Sequence, residues 1–143
     1  MIKEALTYND VLLEPRYSDI RSRADVSIAS ALDGPYAYLP FRLPIISSPM
    51  DTISEEEMGV AMWQEGGLAV IHRYNTIERQ LEIIDHVIGL CQANAAAAIG
   101  TSGDYLERAS ALYETGVRIL CVDVAHGHHI LMKEALNELR ATF

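Results

Sequence analysis

The sequence has little of what secreted, membrane-spanning and nucleic-acid-binding proteins rely on. Its 143 residues contain two cysteines, Cys91 and Cys121, both in or beside apolar runs and without C-x-x-C spacing. They are expected to be buried thiols of a reducing compartment, neither a disulfide nor a thiolate metal site. No apolar run approaches the ~18–20 residues of a membrane-spanning helix. The opening residues have no apolar signal-peptide core. A cytoplasmic protein without a membrane partner is therefore expected. Basic residues are also scarce: 11 Lys and Arg stand against 20 Asp and Glu, a formal net charge of −9, and the cations are scattered singly. Without a basic stripe to meet a phosphate backbone, nucleic acid is not expected as a partner. A single anion can still be held by backbone N–H groups at a helix N-terminus.

What is present is half hydrophobic by composition, enough for one domain with a true core. It is short of the ~250 residues of a complete eight-unit α/β barrel. Residues 1–44 have an irregular pattern, with turn signals at Glu14-Pro15, Asp33-Gly34-Pro35 and Pro40. They are expected to form an N-terminal extension packed on the domain. From residue 45 to 143 the pattern changes to short apolar runs, predicted strands near 44–47, 68–71, 95–99 and 118–122, each followed by a helical pattern.

The first helix is predicted from Ser54, in a capping box with Glu57, with Met58, Ala61 and Met62 inward and a stop at Gly66-Gly67. The second should follow Asn75-Thr76, carry Ile77, Leu81, Ile84 and Ile88, and end at Gly89. The third should run from about Asp104 with Leu106, Ala109, Leu112 and Tyr113 inward, closed by Gly116. A fourth should run from about His129 with Leu131, Ala135, Leu136 and Leu139. Four strand-then-helix units whose strands are uniformly apolar indicate an α/β fold with parallel strands buried on both faces. The spacing suits the first four units of a (β/α)8 barrel, a half-barrel. A small open sheet of four or five strands satisfies the same periodicity.

In parallel α/β folds the reactive groups sit on loops at strand C-termini. Those loops are Ser47-Ser48-Pro49-Met50-Asp51, His72-Arg73-Tyr74-Asn75, Gly100-Thr101-Ser102-Gly103 and Asp123 to His129. Asp123, at the mouth of an apolar strand, needs a partner: a ligand hydroxyl such as a ribose diol, or backbone N–H groups of the next loop. Gly100 to Gly103 are either a helix-start turn or a cradle of donors for a cofactor. His126, His128 and His129 have no Cys or carboxylate at ligand spacing, so no metal site is expected. His72 fits a satisfied histidine at the core edge better than a general base, and Arg73 would meet either an anion or a surface carboxylate. Neither cysteine sits where a nucleophile would be presented.

The motifs Leu6-Thr7-Tyr8-Asn9-Asp10-Val11-Leu12-Leu13-Glu14-Pro15, Ser47-Ser48-Pro49-Met50-Asp51-Thr52, Glu65-Gly66-Gly67, Ile71-His72-Arg73-Tyr74-Asn75, Gly100-Thr101 and Asp123-Val124-Ala125-His126-Gly127-His128 together resemble the IMP dehydrogenase and GMP reductase family. They come in that family's order. The resemblance implies a (β/α)8 barrel that binds a purine nucleotide monophosphate at its C-terminal face, with NAD or NADPH alongside. It implies that Ser48, Pro49 and Met50 lie along the nucleotide, Ser48 toward the phosphate and Met50 against the purine. It further implies that Arg73, Thr101 and Asp123 lie near the dinucleotide, with Thr101 and Asp123 facing the nicotinamide riboside. The chain passes from Ile88-Gly89-Leu90-Cys91 almost directly to Ala95, without the regulatory CBS modules usual in the dehydrogenases. With Asp123-Val124-Ala125, this favours the reductase, which deaminates GMP to IMP with NADPH. An IMP dehydrogenase without CBS modules, or a non-catalytic nucleotide-binding or assembly protein, are the alternatives.

The family's catalytic Cys loop and monovalent-cation turn have no counterpart here, so no catalytic residue is assigned and the 143-residue chain alone is expected to be inactive. The inner strand faces, read as Ile45, Ala69, Ala97 and Leu120, would lack an opposite wall, so a homo-oligomer is expected.

Overall fold

A computed structural model of the chain describes residues 3–33, 38–91 and 95–143. Its main body is a four-stranded parallel sheet, β3 (Ile46–Ser47), β4 (Leu68–Ile71), β5 (Ala96–Ile99) and β6 (Ile119–Val122), hydrogen-bonded in chain order. Helices α1 (Glu56–Glu65), α2 (Ile77–Cys91) and α3 (Tyr105–Glu114) connect them, and α4 (Ile130–Thr142) follows β6. Ser47 pairs with Ala69, Val70 with Ala96, and Ile99 with Val122. This is an α/β architecture of alternating βα units on a parallel sheet.

The core lies between sheet and helices. Ala69, Ile71, Ala97 and Ile99 meet Ile83, Ile84 and Val87 of α2, Ala109 and Leu112 of α3, and Ala135 and Leu139 of α4. Truncating Ile84, which is fully buried, to alanine would cost about 2–5 kcal/mol. On the other face Leu68, Val70, Ala96 and Ala98 form a second cluster with Ile119 and Cys121. The phase of the strands is thus opposite to the expected one: Ala69, Ala97 and Leu120 face the helices, and Ile45 lies outside the strand, half exposed. Uniformly apolar strands have no alternation, so nothing in the sequence set which face turned inward.

Several helix details also differ from expectation. No capping box forms at α1. Glu55 is the N-cap and makes no side-chain cap bond, because Ser54 is buried two residues before the helix and its hydroxyl donates to the Ser48 carbonyl. Ala61 is exposed and the buried residue of α1 is Gly59. Gly59 lets α1 approach α2 closely, since a Cβ there would stand 2.7 Å from Val87 Cγ2. Gly66 does end α1, at φ +86°, a conformation that suits glycine. Gly89 does not end α2, which continues to the buried Cys91. Tyr113 faces out, its ring 5.3 Å from that of Phe143 and beneath the Arg118 guanidinium at 4.5 Å. Leu131 and Leu136 are more exposed than expected, leaving Ala135 and Leu139 as the buried face of α4.

The N-terminal segment departs furthest. Residues 3–30 are exposed throughout and do not pack on the sheet, with Leu6, Tyr8, Leu12, Leu13 and Tyr17 all open to solvent. Within the stretch expected to be irregular, β1 (Ser30–Asp33) and β2 (Tyr38–Phe41) pair antiparallel. Pro40 is tolerated because a two-stranded ribbon has two edges and no interior strand. The expected turn at Asp33-Gly34-Pro35 lies partly outside the described residues. Among the described residues the segment is hydrogen-bonded to the βα body at its end, where Arg42 Nη2 donates to Gln64 O (2.8 Å) and Leu43 N to Gly66 O (2.9 Å). Among the described residues no helix is long and apolar enough to cross a membrane.

Candidate functional site

Because β3 to β6 are parallel, Ser48, His72, Gly100 and Asp123 all follow strand C-termini at one end of the sheet. Ser48, Pro49, Met50, Asp51, Tyr74 and Asp123 line one open cleft there. Thr101 is at the same end but lines the adjoining groove with Tyr105 of α3 and Leu131, Glu134 and Glu138 of α4. The geometry therefore brings Ser48, Pro49, Met50 and Asp123 together and leaves Thr101 beside them.

The β3–α1 loop is shaped by buried hydroxyls. Ser54 Oγ lies 2.9 Å from Ser47 Oγ, which in turn accepts from Val70 N at 3.3 Å. Ser54 thereby ties the Ser48 carbonyl to the sheet. Thr52 is held at φ +59°, the only positive φ at a non-glycine among the described residues. For a β-branched residue this is a strained conformation, of the sort that concentrates at ligand-contacting turns.

Asp123 is fixed from several sides. Its N–H donates to Ile99 O at 2.9 Å, Arg73 Nη2 donates to its carbonyl at 3.1 Å, and Arg73 Nε stands 3.6 Å from Oδ2. The Tyr74 hydroxyl lies 3.4 Å from the same Oδ2. Arg73 thus meets a carboxylate, one of the two partners its position allowed. Oδ1 of Asp123 accepts from no side chain or backbone group among the described residues. Arg73 Nε and both polar atoms of the Asn75 amide are buried without hydrogen-bond partners, and these are groups that a polar ligand or water would satisfy. The Asp123 carboxylate thus has one oxygen braced by Arg73 and Tyr74, and the residue lines the cleft.

His72 is 1% exposed, a satisfied histidine at the core edge. Its Nδ1 accepts from Tyr74 N at 3.1 Å, and Nε2 lies 2.9 Å from Glu55 Oε1 and 3.8 Å from Asp51 Oδ1. The ligating atoms of Asp51, Glu55 and His72 fall within 4.8 Å of one another. A ring nitrogen that accepts a backbone N–H forces the proton onto the other nitrogen, so Nε2 donates to Glu55 and offers a cation no lone pair. Of the loop histidines, His129 caps α4, its Nδ1 accepting from Leu131 N at 3.2 Å.

Sequence reasoning did not single out the network beneath the cleft. Gln80 is fully buried, with Nε2 within 3.0–3.2 Å of the carbonyls of Ile71, His72 and Ala98. Arg108 donates to Gln80 Oε1 at 2.9 Å, to Asn75 O at 3.0 Å and to Asp104 Oδ2 at 2.8 Å. The available signal was a polar residue, Gln80, in the middle of the apolar stripe of α2. The Gly100–Gly103 segment is a helix-start turn, with Gly103 at φ +67° and Asp104 turned to Arg108 instead of capping α3. Burial pushes both thiols above their ordinary pKa, helped at Cys121 by the nearby Asp123 charge. Neither is an activated nucleophile.

Residues 5–143 match the sequence profile of the IMP dehydrogenase / GMP reductase domain. The chain belongs to the IMP dehydrogenase / GMP reductase family. It is 44% identical over 78 residues to an inosine-5'-monophosphate dehydrogenase of Nitrosopumilus maritimus, covering 54% of this chain and 16% of that protein. A GMP reductase of Leishmania donovani is 38% identical over 86 residues, 60% of this chain and 17% of the relative. An inosine-5'-monophosphate dehydrogenase of Cryptosporidium parvum is 28% identical over 182 aligned positions, 98% of this chain and 44% of the relative. The chain thus spans less than half the length of each of these family members. The relatives bear the names of both activities of the family, so similarity alone does not separate the two.

Proposed function

We propose that the cleft is the nucleotide site of a purine-nucleotide oxidoreductase, most like GMP reductase, and that the four βα units are part of a (β/α)8 barrel. The observation that carries this reading is the shared cleft of Ser48, Pro49, Met50 and Asp123. It supports a purine nucleotide monophosphate with its phosphate toward Ser48 and its base against the Met50 thioether, a polarizable contact for an aromatic ring. Asp123, clamped by Arg73, would hold the ribose hydroxyls of NADPH or NAD, and Thr101 would border the same cofactor from the adjoining groove. When bound, the dinucleotide supplies or accepts hydride. This chain's residues bind and orient the two nucleotides. No residue of the cleft is assigned as nucleophile.

The direct passage from α2 at Cys91 to β5 at Ala96 favours GMP and NADPH over IMP and NAD, as it leaves no room for an inserted regulatory module. Assembly with a second copy, a cytoplasmic location and a monovalent cation in the full catalytic unit belong to the same reading. Titration calorimetry tests it. GMP is expected to bind, with at least tenfold loss on Met50→Ala, and Asp123→Asn is expected to weaken NADPH but not GMP. Absence of binding by GMP, IMP, NADPH and NAD would overturn the proposal, and preference for IMP and NAD would turn it to the dehydrogenase.

A further inference from the structure

We propose that Tyr74 is a preorganised aromatic platform of this cleft, on which a planar heterocycle of a bound nucleotide, purine or nicotinamide, stacks. The inference deepens the nucleotide-site reading and rests on it. Tyr74 is 58% exposed and Met50 52% exposed, and both line the cleft. Two large side chains with apolar surface left open in one concavity are better explained by a ligand than by the fold, which gains little from either.

An exposed tyrosine is ordinarily free to sample its rotamers, and ordering it opposes binding. This one is held before any ligand arrives. Its backbone N–H is bound at 3.1 Å by Nδ1 of His72, a buried ring that is itself anchored to Glu55 at 2.9 Å. Its hydroxyl lies 3.4 Å from Asp123 Oδ2. The Arg73 guanidinium stands 5.2 Å from the ring centroid, and the His72 ring 6.2 Å away at an interplanar angle of 26°. The ring therefore sits against Arg73, which also braces Asp123, and its hydroxyl reaches the Asp123 carboxylate itself. A nucleoside whose hydroxyls meet Asp123 would bring its base within reach of Tyr74. Stacking tolerates any π-face, so both ring types are admitted.

The test uses the intact chain and three probes: GMP, nicotinamide mononucleotide, and ribose 5-phosphate as a ligand without a ring. Each is titrated into wild type, Tyr74→Ala and Tyr74→Phe, with circular dichroism checking the fold. Tyr74→Ala is expected to weaken one ring-bearing probe at least tenfold, identifying purine or nicotinamide as the stacking partner. Tyr74→Phe should stay within about threefold of wild type, and ribose 5-phosphate should bind all three proteins alike. Unchanged binding of both ring-bearing probes by Tyr74→Ala overturns the platform while leaving the nucleotide site standing. Failure of wild type to bind any probe overturns the platform, and the nucleotide site falls with it when IMP, NADPH and NAD also fail to bind.

Discussion

Arg108 donates to the side-chain oxygen of Gln80 across 2.9 Å, joining α3 to α2 directly beneath the strand ends that carry the cleft. Gln80 passes that tie on to carbonyls at the ends of β4 and β5, and Asp104 balances the Arg108 charge from the surface side. A buried polar network of this sort fixes one arrangement of helices against strands.

Replacing Arg108 by Leu leaves Gln80 Oε1 and the Asn75 carbonyl without their donors. A loss of about 1–3 kcal/mol is expected, since Asp104 is half exposed and regains water. Arg108→Lys should recover less than half of it, because a single ammonium cannot span three acceptors. Urea unfolding of the two variants measures both quantities, and equal stability of wild type and Arg108→Leu would remove the network from the account of the fold.

Two helical glycines should respond in opposite directions to alanine. At Gly59 the added methyl would sit 2.7 Å from Val87 Cγ2, so Gly59→Ala is expected to destabilise by about 1–3 kcal/mol. Val87→Ala should relieve part of the clash in the double mutant. At Gly89, inside α2 with no atom within 4 Å of where a methyl would stand, alanine is expected to stabilise by about 0.5–1 kcal/mol. Thermal melts of wild type and these variants check the signs.

Thr52, at φ +59° in the loop before α1 and exposed, should gain from a residue that accepts the left-handed conformation. Thr52→Asn is expected to raise stability by about 1 kcal/mol. A lower melting temperature in the variant would mean that the threonine side chain contributes something the backbone strain conceals.

The thiols predict an alkaline weakness. Burial raises the Cys91 pKa, and burial together with Asp123 raises that of Cys121. The folded chain therefore keeps protons that the unfolded chain releases. This contribution to stability is whole below the unfolded thiol value and is lost as pH rises through the folded one. Unfolding midpoints should fall between about pH 8 and pH 10 in wild type, and fall less in Cys91→Ala. Native Cys91, 3% exposed, should also resist alkylation at about pH 8 and react readily in denaturant.

The alternation of apolar runs and helical stripes determined the βα order and the strands at 68–71, 96–99 and 119–122, because a buried parallel strand must be apolar throughout and its helix must carry a stripe. It also placed Ser48, Met50 and Asp123 at one end, since in a parallel sheet every strand C-terminus points the same way. Only the tertiary structure decided the rest. The facing of Ala69 and Ala97 toward the helices could not be read from strands with no polar residue to mark a side. The ties from His72 to Glu55, from Gln80 to Ala98 and from Arg108 to Gln80 span 17, 18 and 28 residues of sequence, and contacts between distant residues leave no periodic trace. Ser54, a capping residue by its local pattern, is fully buried, and its hydroxyl is satisfied by the Ser48 carbonyl instead of the helix end. The separation of Thr101 into the groove beside α4 likewise follows from where that helix packs, which no spacing along the chain specifies.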